Sequence, residues 1–431
     1  MSARPVIGYA GLTHLGLVSS LAAAARGFET LAYDPDAALA GEVAAGRFRV
    51  VEPGLDELFA TAAPRYTATS DVSALGRCDV VFIAVDVPTD AHSRSDVGPV
   101  RHLLARVAAV ATSGASLVVL SQVHPGFTRS EQARVERPGG PHLFYQVETL
   151  IFGRAVERAM EPERHMVGLP DPAAPLPHAL RQFLEAFDCP ILPMRYESAE
   201  LCKISINMFL VSSVSTTNML AEVCEAIGAD WREIAPALRL DRRIGPHAYL
   251  TPGLGIGGGN LTRDLVSVQA LASAHGTDAG IVDAWLSNSE HRRDWALRTL
   301  RAHGVERPGI VLGLWGLAYK EHTQFTKNSP AMALIAALPG VAVRAYDPAV
   351  AASETPGGVT RVASALAAAR GADLLAIMTP WPEFASVNAE ELAAAMRGRT
   401  VVDPFGVLAP AAAAGARLEL VRLGAGALPA V

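Results

Sequence analysis

The sequence predicts an α/β protein in which two Rossmann-like, doubly wound parallel-sheet domains flank a central helical domain. Short apolar strands alternate with helical segments from the N-terminus, one long helical pattern fills residues 199–227, and the alternation resumes at residue 309. Strands that alternate with helices imply a parallel sheet covered on both faces. We therefore expect an N-terminal domain at 1–195, a central helical domain at 196–300 and a C-terminal α/β domain at 301–431.

The N-terminal alternation begins with a strand, a turn, a helix and a second strand. Val6–Ala10 is short and apolar, Leu15–Ala25 has helical spacing, and the second strand ends at Asp34. Spacing of this kind distinguishes strands from amphipathic helices. The pattern continues with a strand at 79–85, a helix at 97–111 and a strand at 117–121.

The long helical pattern extends from Ala199 to Ile227, with Gly228 as its stop signal. A helix that is apolar over much of its surface often connects domains and packs against a partner chain, so we expect a homodimer or a higher homo-oligomer. Beyond it, strands are expected at 309–314, 341–346, 374–379 and 400–403, and the low-complexity segment 410–431 has room for a last strand.

The composition argues against several classes of function. The chain has 431 residues, 50% of them hydrophobic, and its formal charge of -6 provides no basic surface for nucleic acid. No uninterrupted apolar run reaches the roughly 18 residues of a membrane helix, and Met1–Pro5 shows no signal peptide. The four cysteines lack the paired spacing of a metal site or a disulfide framework. We expect a cytoplasmic protein that binds no metal, nucleic acid or membrane.

The turn after the first strand carries a modified dinucleotide-binding motif, Gly11-Leu12-Thr13-His14-Leu15-Gly16. The backbone of such a turn approaches a pyrophosphate, and the N-terminus of the following helix stabilises its charge. Thr13 stands where the middle glycine of the motif is usual. We expect its Cβ to push the phosphates away or to shift the turn slightly.

Asp34 is placed to select the cofactor. It follows the turn at the usual interval of about 20 residues, where a carboxylate accepts hydrogen bonds from the ribose hydroxyls of NAD and repels the additional phosphate of NADP. The alternative is a turn residue that precedes Pro35. Together, the turn and the aspartate favour NAD over NADP.

Lys203 and Asn207 form the main candidate for alcohol chemistry. They are one helical turn apart on the predicted long helix, so both side chains project from one face. An ammonium and an amide can hold a developing alkoxide and a bound water while hydride leaves for nicotinamide. The alternative is a solvated lysine and a chance asparagine, and the same spacing also occurs in hydroxyacid dehydrogenases.

A glycine-rich run lies further along the chain: Gly253-Leu254-Gly255-Ile256-Gly257-Gly258-Gly259-Asn260-Leu261-Thr262-Arg263-Asp264. Backbone amides of glycine loops can wrap sugar or phosphate groups, although glycine runs also form flexible turns. This run, the Lys–Asn helix and other short motifs resemble the UDP-glucose/GDP-mannose dehydrogenase family over about residues 5–405. The resemblance implies NAD as cofactor and a nucleotide sugar as substrate.

The resemblance also assigns catalytic positions. Asp264 matches the family's catalytic aspartate, which orients a water with the lysine at Lys203. Glu148 matches the first of two family glutamates, and the second falls on Phe152. The family's catalytic cysteine falls on Asn260, whose amide cannot act as a nucleophile at neutral pH.

For the cofactor, the resemblance adds the strand-end segment Val87-Pro88-Thr89, with Val87 where threonine is usual, and Gln122, also at a usual threonine. Glu52-Pro53-Gly54-Leu55 matches a further family segment to which we assign no role. For the nucleotide sugar, it implies contacts from Glu148, Thr149, Leu150, Lys203, Asn207, Arg243, Tyr249, Leu250, Gly257, Gly258, Lys320 and Lys327.

Two of these substrate positions carry further implications. Lys327 replaces the usual arginine, so the positive charge remains while bidentate phosphate geometry is lost. Arg243 matches an arginine that, in family members, reaches the substrate of a neighbouring subunit, which again implies a dimer or larger assembly.

The leading hypothesis is an NAD-dependent dehydrogenase that oxidises one hydroxyl of a UDP- or GDP-sugar, of the C6 type, in a single two-electron step. The product would be an aldehyde or a ketone. One alternative is the full four-electron oxidation to the uronate, through an aldehyde hydrate that needs no thiol. Another is an epimerase that returns hydride from a retained NADH, and a third is a nucleotide-sugar sensor without catalysis.

Overall fold

The computed structural model describes residues 4–90, 93–136, 138–256 and 260–426. The chain forms two compact units, Met1–Ile206 and Asn207–Val431. The division into three domains at 195/196 and 300/301 stays a prediction. The two compact units meet at 206/207, which is neither of the predicted boundaries.

The first unit is built on an eight-stranded sheet within the described residues, with strand order β3-β2-β1-β4-β5-β6-β7-β8. Its neighbouring strands pair in parallel, except for the antiparallel pair β6–β7. The strands are β1 Ile7–Ala10, β2 Thr30–Tyr33, β3 Tyr66–Thr69, β4 Val80–Ile83, β5 Ser116–Val119, β6 His142–Gln146, β7 His165–Leu169 and β8 Ile191–Arg195.

The central strands of this sheet are buried on both faces. In β4, Val81 and Ile83 enter one hydrophobic core, while Val80 and Phe82 enter another. Successive strand residues point to opposite faces, so a strand covered on both sides reads as an uninterrupted apolar run. The helices that cover the faces are α1 His14–Ala25, α2 Ala37–Ala44, α3 Leu55–Ala62, α4 Gly98–Val110, α5 Phe127–Val135, α6 Ala155–Met160 and α7 His178–Glu185.

The reversal at β7 was not anticipated from the sequence. A parallel strand requires a crossover that returns the chain to the opposite edge of the sheet. Here the connection after β6 carries only α6, whose Ala155 and Met160 pack with Leu12 and Leu17 beside α1. The chain therefore enters β7 near the edge at which β6 ends, and runs back.

The predicted long helix is α8, Tyr196–Ile227, which begins three residues before the predicted start and precedes Gly228, a residue with a φ of 80°. Its first turns belong to the first unit: the Tyr196 hydroxyl donates to the Leu143 carbonyl at 2.6 Å, and Glu200 accepts from the Thr128 amide at 2.7 Å. The most apolar stretch of 18 residues in this helix has a mean hydropathy of 1.2, and 39% of that stretch is buried within the protein. By length and composition alone, α8 could cross a membrane.

The second unit contains a six-stranded, all-parallel sheet within its described part, with order β11-β10-β9-β12-β13-β14. The strands are β9 Val311–Trp315, β10 Ala342–Tyr346, β11 Val359–Arg361, β12 Leu374–Ile377, β13 Thr400–Val402 and β14 Glu419–Val421. The helices after α8 are α9 Trp231–Leu240, α10 Asn260–His275, α11 Gly280–Arg293, α12 Trp295–Ala302, α13 Pro330–Ala336, α14 Ala365–Ala369, α15 Pro382–Ala385, α16 Ala389–Ala395 and α17 Pro410–Gly415.

Candidate active site

The turn between β1 and α1 brings its backbone close to the neighbouring strand. Gly11 has a φ of +100°, and a Cβ there would meet the backbone of Ala84 at 3.0 Å. A Cβ on Gly16 would lie 1.8 Å from the Gly11 carbonyl oxygen, so only glycine allows α1 to begin this close to the turn. The two outer glycines of the motif are therefore required by packing.

Thr13, at the middle position, turns its side chain toward β4. Its hydroxyl lies 3.5 Å from the Ala84 carbonyl and accepts from the Asp86 amide at 3.3 Å. Although Thr13 is the N-cap residue of α1, its side chain makes no capping hydrogen bond. The amides of the first helical turn are thus not satisfied by this side chain, which leaves them oriented for an anion.

Asp34 closes the turn from the end of β2. Its buried carboxylate accepts from the Leu12 amide at 2.8 Å and from the Asp36 amide at 2.9 Å. A carboxylate has about four lone-pair positions, so acceptor capacity remains for ribose hydroxyls.

The order β2-β1-β4-β5 places the predicted cofactor residues at one edge of the sheet. Asp34 follows β2, the glycine turn follows β1, Val87-Pro88-Thr89 follows β4, and Gln122 follows β5. In doubly wound sheets, ligands bind at the carboxyl edge where the strand order reverses, which here lies between β1 and β4. The turn, the aspartate and this edge fit NAD.

Glu52 is a site residue to which the sequence assigned no role. Its buried carboxylate lies 2.9 Å from His14 Nε2 and accepts from the Gly153 amide at 3.1 Å and the Ala155 amide at 2.7 Å. The His14 ring stacks on Phe152, with a centroid distance of 4.3 Å. Glu52 thus links the start of α1 to the segment after β6 through hydrogen bonds. The family segment Glu52–Leu55 was the sequence feature that could have predicted this role.

Glu148 lies just after β6, on the same segment. Its Oε1 accepts from the Thr149 amide at 2.6 Å. Burial raises the pKa of the Glu148 carboxyl above its usual value, against the opposing effects of that amide and of the charges on Lys203 and Arg158. The charge on Lys203 is therefore near enough to Glu148 to affect the pKa of its carboxyl.

The loop beyond Glu148 is held by one arginine. Arg158 Nε donates to the Thr149 carbonyl at 2.7 Å, and its Nη2 donates to the Thr149 hydroxyl at 3.1 Å. Leu150 is partly buried in the core beside α1. The predicted substrate residues of this loop are thus fixed in place by α6.

On α8, Lys203 and Asn207 are one turn apart, as predicted. Asn207 Nδ2 donates to Asp264 Oδ2 at 2.5 Å, and Arg263 Nε donates to Asp264 Oδ1 at 3.2 Å. Asp264 is 1% exposed, so its carboxylate is held between an amide and a guanidinium. The structure thus brings together the predicted Asn207 and Asp264, and adds Arg263, which the sequence placed in the motif without a role.

Asn260 is the first residue of α10 and is exposed. One helical turn separates it from Asp264 on the same helix. The predicted substrate residues Gly257 and Gly258 lie outside the described residues.

The remaining predicted substrate residues are distributed over the second unit. The Leu250 carbonyl accepts from Trp231 Nε1 at 2.8 Å, and the Tyr249 carbonyl accepts from the Thr217 hydroxyl at 3.2 Å. Arg243 pairs with Asp241 at 2.7 Å, with 89% of the arginine side chain exposed. Lys320 Nζ lies 5.8 Å from the centre of the Tyr319 ring, and Lys327 is exposed.

Three family models match the chain, together covering most of it. They are the NAD binding domain of the UDP-glucose/GDP-mannose dehydrogenase family at residues 6–187, its central domain at 197–290 and its UDP binding domain at 313–410.

Individual proteins match over nearly the full length. The UDP-glucose 6-dehydrogenase AglM of Haloferax volcanii is 30% identical over 92% of this chain and 94% of its own length. The UDP-glucose 6-dehydrogenase of Rhizobium meliloti is 29% identical over 91% of this chain and 93% of its own length. The structure of a UDP-glucose dehydrogenase from Pyrobaculum islandicum superimposes with a TM-score of 0.87 at 27% identity, covering 99% of each chain.

Proposed function

The chain belongs to the UDP-glucose/GDP-mannose dehydrogenase family, and from that premise we propose that it oxidises one hydroxyl of a UDP- or GDP-sugar in a single two-electron step. It is an NAD-dependent oxidoreductase that acts on a nucleotide sugar. The proposal concerns how far the oxidation proceeds.

The residues after β1, β2, β4 and β5 would hold NAD. The turn Gly11–Gly16 admits the pyrophosphate, and Asp34 accepts from the ribose. When bound, nicotinamide accepts the hydride that the substrate carbon loses.

Proton transfer and charge stabilisation are assigned to the polar groups on and beside α8. The Lys203 ammonium stabilises negative charge that develops on the substrate oxygen, and Glu148 is a nearby acceptor for the hydroxyl proton. Asn207 and Arg263 hold the Asp264 carboxylate in a fixed orientation through the two hydrogen bonds described above. Glu148 and Lys203 can together accept the hydroxyl proton and stabilise the charged oxygen while hydride leaves for nicotinamide.

The observation that carries the proposal is Asn260 at the N-terminus of α10. A cysteine at a helix N-terminus has a lowered thiol pKa and is a strong nucleophile, because the helix dipole favours the thiolate. An amide at the same position cannot attack an aldehyde. We infer that no covalent intermediate forms and that the carbonyl product is released.

The deciding experiment counts NADH formed per nucleotide sugar consumed by the purified protein. We expect a ratio of about one, with a carbonyl product trapped by hydroxylamine. The variant Asn260→Cys should move the ratio toward about two, with a uronate product, because the thiol then captures the aldehyde.

The matched control is Asn260→Ala, which also removes the amide but supplies no thiol and should leave the ratio unchanged. A ratio of about two for the unchanged protein would contradict the proposal and favour oxidation through the aldehyde hydrate. Sugar conversion without accumulated NADH would instead indicate an epimerase.

A further inference from the structure

A small polar cavity lies inside the first unit, behind Glu148. Its volume is about 40 Å³, which is room for about three water molecules. Apolar side chains of the sheet and of α7, including Phe82 and Phe183, form one wall. The other walls carry polar groups from α1, β6, the segment after β6, α6 and the start of β7: Ser19, Gln146, Glu148, Thr149, Arg158, Arg164 and His165.

Three buried polar atoms on residues that line this cavity have no hydrogen-bond partner anywhere in the described part of the chain. They are Ser19 Oγ, Gln146 Oε1 and His165 Nε2, on residues that are 7%, 6% and 5% exposed. A buried polar atom without a partner costs about 1–3 kcal/mol. Three such atoms from three elements around one cavity indicate that water satisfies them.

The geometry also defines which of these groups donates. His165 Nδ1 faces Gln146 Nε2 at 3.4 Å, and an amide nitrogen can only donate, so Nδ1 accepts and the proton resides on Nε2. Burial lowers the pKa of His165 to about 4, so the ring is neutral near pH 7. Gln146 Oε1 is an acceptor, and the Ser19 hydroxyl can either donate or accept.

We propose that this cavity is a water-filled proton path from Glu148 to the protein surface. The inference rests on the proposed function, because oxidation of a hydroxyl breaks a C–H and an O–H bond, forms a carbonyl and NADH, and releases one proton. Glu148 takes that proton, passes it to the cavity water, and is thereby ready for the next substrate. The waters exchange protons along Gln146, Ser19 and His165.

The charged groups around the cavity are consistent with a path for a proton. Arg158 and Arg164 both line the cavity, and both pair with the exposed carboxylate of Glu163, at 3.3 Å and 2.6 Å. The charges on Lys203 and Arg158 and the Tyr9 hydroxyl interact electrostatically with Glu148. The acidic partner Glu163 offsets part of the positive charge that would otherwise repel a proton at the exit.

The test compares NADH formation with proton release in a single turnover, using absorbance and a pH indicator in stopped flow. In the unchanged protein, both signals should rise together. In Ser19→Val, which places methyl groups where the hydroxyl was, and in Gln146→Leu, proton release should lag NADH formation by about tenfold while the hydride step keeps its rate. Proton release that keeps pace with NADH formation in both variants would overturn the proposal.

Ser116→Val is the matched control, because Ser116 carries a buried hydroxyl without a partner in the described chain but lies outside the cavity. It should show no lag. A crystal structure separates the two proposals: ordered waters on Ser19 Oγ, Gln146 Oε1 and His165 Nε2 are expected whether or not any sugar is oxidised. Their absence refutes the path, whereas absence of NADH formation with every nucleotide sugar refutes the proposed function.

Discussion

Two aspartates occupy the same position in the two sheets. Asp34 follows β2 and accepts from the Leu12 amide, while Asp347 follows β10 and accepts from the Leu317 and Ala318 amides at 2.7 Å and 3.0 Å. Each carboxylate fixes the turn after the neighbouring strand. Only the first turn has the glycine spacing of a dinucleotide site, so we propose a cofactor role for Asp34 and a structural role for Asp347.

Asp34→Asn should reduce the preference for NAD over NADP by about tenfold or more, because the charge that repels the additional phosphate and binds the ribose is lost. Calorimetric titration of both cofactors measures the two dissociation constants. Asp347→Asn is the matched control: it should destabilise its own turn but leave the cofactor preference unchanged. An unaltered preference in Asp34→Asn would show that Asp34 has only a structural role.

Glu148 provides a prediction for pH dependence. Folding raises the pKa of this carboxyl through burial, so its ionisation costs more free energy in the native state than in the unfolded chain. Its contribution to stability is therefore full below the unfolded value of about 4.3 and is lost as the pH rises through the higher native value. The glutamine side chain of the Glu148→Gln variant stays neutral at every pH. The thermal unfolding midpoint of the variant should therefore exceed that of the unchanged protein at pH 7, and the difference between the two midpoints should disappear near pH 4.

Glu157→Gln is the control for that measurement. Arg154 lowers the pKa of the exposed Glu157 carboxyl, so this substitution should reduce stability, if at all, at neutral rather than acidic pH. A lower midpoint for Glu148→Gln at pH 7 would mean that its attraction to Lys203 outweighs burial.

At the scale of elements, α8 combines buried positions with an exposed apolar face. Val211, Ala221 and Cys224 are buried, whereas Phe209 and Ile227 are 77% and 71% exposed. Exposed apolar side chains grouped on one element mark an interaction surface. We propose that a second copy of the chain covers this face, which agrees with the oligomer predicted from the sequence.

Val223, on α8, is 46% exposed. The double variant Phe209→Glu/Val223→Glu should shift the protein to a monomer of 45.3 kDa, because two carboxylates would be buried in the interface. Light scattering after size exclusion gives the mass. Val51→Glu is the control, since Val51 is 82% exposed but lies before α3 rather than on α8. A monomeric unchanged protein, or a variant of unchanged larger mass, would refute this interface.

On the scale of the whole molecule, the first unit has a complete sheet and its own cores, but its last contacts come from α8. Tyr196, Ala199 and Glu200 are buried, and Glu200 accepts from the backbone amides of Gly126 and Thr128. The first folded unit therefore ends at Ile206, within α8, whereas its last strand, β8, ends at Arg195.

We expect residues 1–206 to fold alone and to bind NAD, and residues 1–195 to unfold at a clearly lower temperature. The shorter segment lacks Glu200, so the hydrogen bonds from the Gly126 and Thr128 amides are lost, and it lacks Tyr196 and Ala199, which are buried in a core of the first unit. Circular dichroism melting with and without NAD measures both segments. Equal midpoints would support the predicted boundary at 195/196.

The sequence by itself determined the alternation of strands and helices, the long helix and the glycine turn with Asp34, because these features repeat with local periods or at short, fixed intervals. It placed Lys203 and Asn207 together for the same reason. It missed the antiparallel entry of β7 and the true start of α8, since both depend on what those segments pack against.

Only the tertiary structure decided how the buried polar groups are paired. Glu52 lies 38 residues from His14, and Asp264 lies 57 residues from Asn207, so no local pattern records either contact. The cavity behind Glu148 likewise exists only because α1, α6, β6 and β7 converge on it. The hydrogen-bond partners and the shape of the cavity follow from packing in three dimensions. Several pairings of these polar groups are compatible with the sequence pattern, and the free-energy cost of leaving a buried polar group unsatisfied selects among them.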